Sequence, residues 1–101
     1  MISVTGNIKV NPGDNVLFEN PTIQVEADAE LRNRVWTVKI RAVLSAQYTG
    51  EVVKQYVVSG SDFSRYDQGN GEFASNLAII IDQFVVMDLA SFNPEASFQI
   101  Q

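Results

Sequence analysis

Four oxygen-bearing side chains, Asp62, Asp67, Asn70 and Glu72, fall within one glycine-containing stretch, the kind of donor set that a calcium ion takes from a flexible loop. Their spacing does not match an EF-hand loop. Segments of Ser, Gly, Asp and Asn are also the ordinary way to cross a protein surface, so no metal is assigned. Gly69, Asn70 and Gly71 lack the lysine and the spacing of a phosphate-binding loop. Two carboxylate pairs have the right residue types for acid–base work, Glu26 with Asp28 and Asp82 with Asp88. The first pair faces cations across a hairpin, and the second is spaced to lie on different faces of a helix.

The chain has no histidine and no cysteine, which removes imidazole bases, thiol nucleophiles and thiolate metal sites together. A hydroxyl nucleophile would then need a lysine base, and Lys9, Lys39 and Lys54 read as outward residues of alternating strands. The expectation is a protein that is not an enzyme, with no catalytic residue and no cofactor. Seven Lys and Arg stand against twelve Asp and Glu, a net charge of -5 without any acidic or basic block. A nucleic-acid partner is therefore not expected. No window approaches the roughly 18 uninterrupted apolar residues of a membrane helix, so no membrane partner is expected either. Residues 1–10 lack the basic and apolar regions of a signal peptide, which reads as a chain synthesised and kept in the cytoplasm. With 46% hydrophobic residues over 101 positions, one domain can bury a core without disulfides.

The elements that must position any site are legible first in residues 22–45. Ile23, Val25, Ala27, Ala29 and Leu31 alternate with polar residues, then the phase switches to Trp36, Val38, Ile40, Ala42 and Leu44. A hairpin folded about Asn33 and Arg34 sets these apolar residues opposite one another, from Leu31 with Trp36 to Ile23 with Leu44. The same register places Glu26 opposite Arg41 and Asp28 opposite Lys39 on the other face, and a one-residue slip would destroy both arrangements. Trp36 reads as core. A second reversal around residues 48–51 brings a strand at 52–58 back along 36–46, pairing Ala42 with Val57 or with Tyr56 according to the turn.

Before the hairpin, Ile2, Val4, Ile8 and Val10 alternate, with Gly6 and Asn7 marking a bend or bulge. Residues 12–15 read as a type II turn with Gly13 at the positive-φ position, and Val16, Leu17 and Phe18 as a brief strand. Residues 59–72 form a loop. From 72 to 88 the polar residues fall at helical spacing and leave an apolar stripe through Phe73, Leu77, Ile80, Ile81, Phe84 and Val85, with Asn70 as N-cap. Asn93, Pro94 and Glu95 turn the chain into a short last strand with Phe98 and Ile100. The expected fold is α+β, an antiparallel β-meander with one C-terminal amphipathic helix packed on it; the alternative is an all-β sandwich or barrel.

An eleven-residue strand at about 3.3 Å per residue is roughly 35 Å long, comparable with the diameter of a domain of this size. The hairpin must cross the domain or project beyond it. Its tip, Arg32, Asn33 and Arg34, is the only dense basic spot on an acidic chain. Phe63, Arg65 and Tyr66 add an aromatic and guanidinium patch of the kind enriched at interfaces, or else close one end of the core. The functional expectation is a non-enzymatic structural subunit of a larger protein assembly, either a homo-oligomer or a hetero-assembly. Its specific form is a bacteriophage virion component (head, connector or tail accessory protein) that is incorporated in the virus particle. The alternative is a small monomeric domain that binds a ligand or protein partner through the 59–72 loop or the apolar sheet face.

Overall fold

The computed structural model describes residues 1–33, 35–59 and 77–101. Along the chain come strands β1 (Ile2–Thr5), β2 (Asn7–Ile8), β3 (Phe18–Glu19), β4 (Thr22–Arg32), β5 (Val35–Ala46) and β6 (Gly50–Ser59), then helix α1 (Leu77–Ser91) and strand β7 (Ser97–Ile100). Five strands make one antiparallel sheet in the order β6-β5-β4-β1-β7, while β2 and β3 form a separate two-stranded ribbon. The fold is α+β, and no closed barrel forms among the described residues. Asn70, Asp62, Asp67, Glu72, Phe63, Arg65, Tyr66 and the start of the expected helix at 72–76 lie outside the described residues.

β4 and β5 pair in the register that alternation dictates. Glu26 stands opposite Arg41, Asp28 opposite Lys39, Ala27 opposite Ile40 and Ile23 opposite Leu44. The reversal is closed by the pair Arg32 and Val35, and Asn33 takes φ 51°, a left-handed conformation that tight hairpin turns demand and asparagine tolerates. On the covered face Val38, Ala42 and Leu44 are 0% exposed and Ile40 1%. Ile2, Val4, Ile8, Val10 and Phe18 join them from the N-terminal strands, and Ile80, Ile81, Val85 and Leu89 from the helix. Trp36 packs against this cluster and is half-buried.

The β5–β6 register differs from both expected ones. Three residues, Gln47, Tyr48 and Thr49, make the reversal, Gly50 supplies φ 80°, and Ala42 pairs with Lys54. The offset from the Ala42–Tyr56 alternative is two residues, which preserves the faces, so Val52, Lys54, Tyr56 and Val58 share the covered side. Lys54 is consequently not an outward residue; its side chain is 15% exposed. Burying Tyr56 and Val58 beside Ile40 and Val38 outweighs keeping one ammonium in bulk water, provided that the ammonium finds partners.

Three smaller expectations are also corrected. Gly13 does not take positive φ; the turn there is closed by Asp14, whose N–H donates to the Asn11 carbonyl at 3.1 Å and whose carboxylate accepts from the Asn11 N–H at 3.1 Å. Asp14 thus closes the turn with its own side chain and makes a positive φ unnecessary. Val16 and Leu17 stay outside β3 and are exposed, because only Phe18 and Glu19 reach partners on β2. The helix runs three residues past Asp88, to Ser91, and its outer surface carries Ile79 and Met87, 57% and 48% exposed, so it is less amphipathic than its spacing suggests. The bend at Gly6 is present. Gly6 takes φ 111°, and its N–H and C=O bond the Asn20 side chain at 2.8 Å and the Asn20 N–H at 3.0 Å.

Two substitutions separate the faces of the hairpin. The Arg41–Glu26 ion pair is long, 3.9 Å, and exposed on both sides. Glu26→Ala should therefore change stability by no more than about 1 kcal/mol. Ile40→Ala, which removes methyl groups from a site without solvent, should cost roughly 2–5 kcal/mol; urea denaturation of both variants checks the contrast.

Candidate functional site

The sheet brings one polar cluster under the helix. Alternation along β6 aims Lys54 and Tyr56 at α1, whose residues Phe84 and Asp88, one turn apart, face them. Asp88 Oδ2 accepts a hydrogen bond from the Tyr56 hydroxyl at 2.7 Å and forms an ion pair with Lys54 Nζ at 2.9 Å. Lys54 Nζ also donates to the Val10 carbonyl at 2.7 Å. Its ammonium lies 5.0 Å from the Phe92 ring centroid and 5.4 Å from that of Tyr56, within cation–π range. The Phe84 ring meets Tyr56 edge-on, with centroids 5.5 Å apart and planes at 87°. Burial, then the hydrogen bond to Asp88 and its negative charge, raise the Tyr56 hydroxyl far above the usual tyrosine range.

That shift is opposite to what a nucleophilic or basic tyrosinate needs. Lys54 and Asp88 are spent on each other, so the cluster works as a clamp that ties the last turns of α1 to the edge of the sheet. Asn93 ties the same end from the other side. It is 8% exposed; its Oδ1 accepts from the Lys9 N–H at 2.8 Å, and its Nδ2 donates to the carbonyls of Lys9 at 2.9 Å and Leu89 at 2.8 Å. The side chain imitates a strand partner for residue 9 while capping a helix carbonyl left open at the C-terminus.

Asp82 and Asp88 are not brought together. Asp88 belongs to the clamp, whereas Asp82 lies on another flank of the helix, where burial raises its carboxyl and the N-terminal amine opposes that rise. Glu26 and Asp28 line a shallow open groove of about 270 Å³ on the outer sheet face with Lys39, Arg41 and Gln55, the cross-strand charges that sequence alternation placed there. Among the described residues no group of three or more acidic side chains is arranged to hold a metal ion, and no helix is long and apolar enough to cross a membrane.

Of the expected interface residues, Arg32 and Asn33 sit at the exposed hairpin tip, while Arg34, Phe63, Arg65 and Tyr66 fall outside the described residues. Arg32 is bonded to Glu30 two positions back on the same strand, Nε to Oε1 at 2.7 Å, which offsets part of the positive charge of the tip. Lys54, Tyr56, Asp88 and Asn93 were not singled out as a group by the sequence. A lysine in mid-strand after two valines, together with an aspartate in the predicted helix, is the available signal. No protein-family model, no curated protein and no solved structure matches the chain.

Removing one member of the clamp strands the others. Asp88→Ala leaves the Lys54 ammonium and the Tyr56 hydroxyl without their shared acceptor and should cost about 3 kcal/mol, somewhat less than a fully buried pair because water reaches both partners. Asn93→Ala orphans the N–H and C=O of Lys9 together and should cost at least about 2 kcal/mol. Tyr56 also sets a pH dependence. Its folded value is raised, so its contribution to stability is fully present below the unfolded tyrosine value of about 10 and is lost as pH rises further. Alkaline unfolding should be less steep in Tyr56→Phe than in the native chain, measured by denaturation at successive pH values.

Proposed function

We propose that the chain is a non-enzymatic structural subunit of a larger protein assembly, acting by position and contact. The observation that carries this reading is the long hairpin. β1 pairs with β4 only at Thr22 and Ile23, so among the described residues the outer edge of β4 from Gln24 to Arg32 has no strand beside it. Beyond Thr37, where β6 ends, β4 and β5 continue to the turn at Asn33 with no third strand among the described residues. The described residues extend 43 Å in one direction and 20 Å in the other two. An arm of this kind buries little of its own surface, and its open edge and charged tip are what a neighbouring chain would engage.

A bacteriophage virion, as head, connector or tail accessory protein, is the specific assembly we propose, because a small chain whose polar groups are spent on its own fold contributes place rather than chemistry there. The competing reading is a small monomeric binding domain. Its apolar sheet face is occupied by α1, and its 59–72 loop lies, apart from Ser59, outside the described residues; among the described residues the outer groove beside Lys39 and Arg41 is a further surface for it.

Charge reversal at the tip separates the two. The double substitution Arg32→Glu with Arg34→Glu should leave thermal unfolding of the isolated chain unchanged, since exposed ion pairs contribute only about 0.2–1 kcal/mol. It should abolish co-assembly when the chain is co-expressed with the products of its genomic neighbours, as read by the mass of the complexes. Added salt should weaken the native contact in the same assay. Finding the native chain monomeric in the presence of those neighbours would refute the reading.

A further inference from the structure

We infer that β6 is a self-complementary edge at which a second copy of this chain pairs, joining two five-stranded sheets into one continuous sheet across a two-fold axis at Gln55. This rests on the reading of the chain as an assembly subunit and names one of its partners.

Among the described residues the five-stranded sheet ends on one side in β7, four residues long, and on the other in β6, ten residues long. Long edges are normally protected by charge on the strand. β6 carries the opposite pattern on its outer face, where Val53 and Val57 are 41% and 71% exposed with only Gln55 between them. Its one cation, Lys54, points to the helix side and is neutralised by Asp88. An inward lysine of this kind usually blunts an edge; here the ion pair removes that effect.

Charge then selects β6 over the open stretch of β4. Antiparallel pairing of two copies about a two-fold perpendicular to the sheet sets residues opposite whose numbers have a constant even sum. On β4, every such register centred between Glu26 and Glu30 puts acid against acid, because Glu26, Asp28 and Glu30 occupy alternate positions of one face. On β6 the register centred on Gln55 places Gln55 against itself and Val53 against Val57 twice. On the helix side it sets Lys54 against Tyr56 and Val52 against Val58. No like charges meet, the exposed valines cover each other, and the overlap is the longest that any register of β6 permits. The axis keeps both helices on the same side of the joined sheet.

The register gives a specific test on the isolated full-length chain. The native sequence has no cysteine, so Gln55→Cys introduces a single thiol. Residues directly opposite in an antiparallel pair have Cα atoms about 4.5–5.5 Å apart, a distance that a disulfide spans. Under mild oxidation Gln55→Cys should cross-link to covalent dimers, while Asp28→Cys on the arm should stay monomeric. In sedimentation equilibrium the native chain should dimerise at micromolar concentration. Val53→Glu with Val57→Glu, which sets glutamates opposite each other, should raise the dissociation constant by about tenfold or more with the circular dichroism spectrum unchanged. Val53→Lys with Val57→Glu should restore the dimer, because the introduced lysine and glutamate then face each other in this register alone. A native chain that stays monomeric, or a dimer that survives the paired glutamates and does not cross-link through position 55, overturns the inference. Arg32→Glu with Arg34→Glu should leave this dimer intact, so its failure and a failure of the arm to engage other chains are read separately.

Discussion

Everything in this molecule follows from the need to cover one face of a hairpin longer than its surroundings. Ile23, Val38, Ile40, Ala42 and Leu44 form an apolar strip that two strands cannot shield by themselves. β1 extends the strip with Ile2 and Val4, the ribbon of β2 and β3 packs on one part of it, and α1 covers another through Ile80, Ile81, Val85 and Leu89. The helix has apolar residues on most of its surface, so the hydrophobic effect holds it down without fixing its azimuth. Directional contacts supply that information. Asp88 with Lys54 and Tyr56, and Asn93 with Lys9 and Leu89, pin the C-terminal end at two points on opposite sides. Among the described residues no buried side-chain nitrogen or oxygen lacks a partner, as such a docking requires.

The same pins set the state of the most chemically suggestive of the described residues. A lysine, a tyrosine and an aspartate within hydrogen-bond distance form a set that elsewhere would invite an acid–base role. Here the tyrosine is held in its neutral form by burial and by the neighbouring carboxylate, and the two charges neutralise each other. The polar groups of this cluster hold the helix to the sheet. What is left over among the described residues lies at the boundaries: an acidic stretch of β4 with no strand on its outer edge, a tip where Arg32 is tied to Glu30, and a β6 edge with exposed valines.

The sequence by itself determined the hairpin, its faces and which charges stand opposite one another, because period two over eleven residues leaves one register in which both apolar and charged partners agree; of the two opposed pairs only Glu26 and Arg41 come within ion-pair distance. It also indicated the bend at Gly6, the helix expected over 72–88, of which 77–88 lies within the described residues, and the last strand, each from local pattern or turn chemistry. Tertiary structure decided what local pattern could not. The β5–β6 offset depends on a three-residue reversal with Gly50 at positive φ, and the Val-rich β6 sequence permits several offsets that bury similar area. Lys54 turned inward because its strand neighbours gained more from the core than it lost from water, and because Asp88 and the Val10 carbonyl stood ready to receive it. Asn93 reads locally as a turn residue, and only the approach of Lys9, far away in sequence, makes its amide the link between the two ends of the chain. Periodicity is a property of consecutive residues; the pairing of remote polar groups depends on where separate elements come to rest against a shared core.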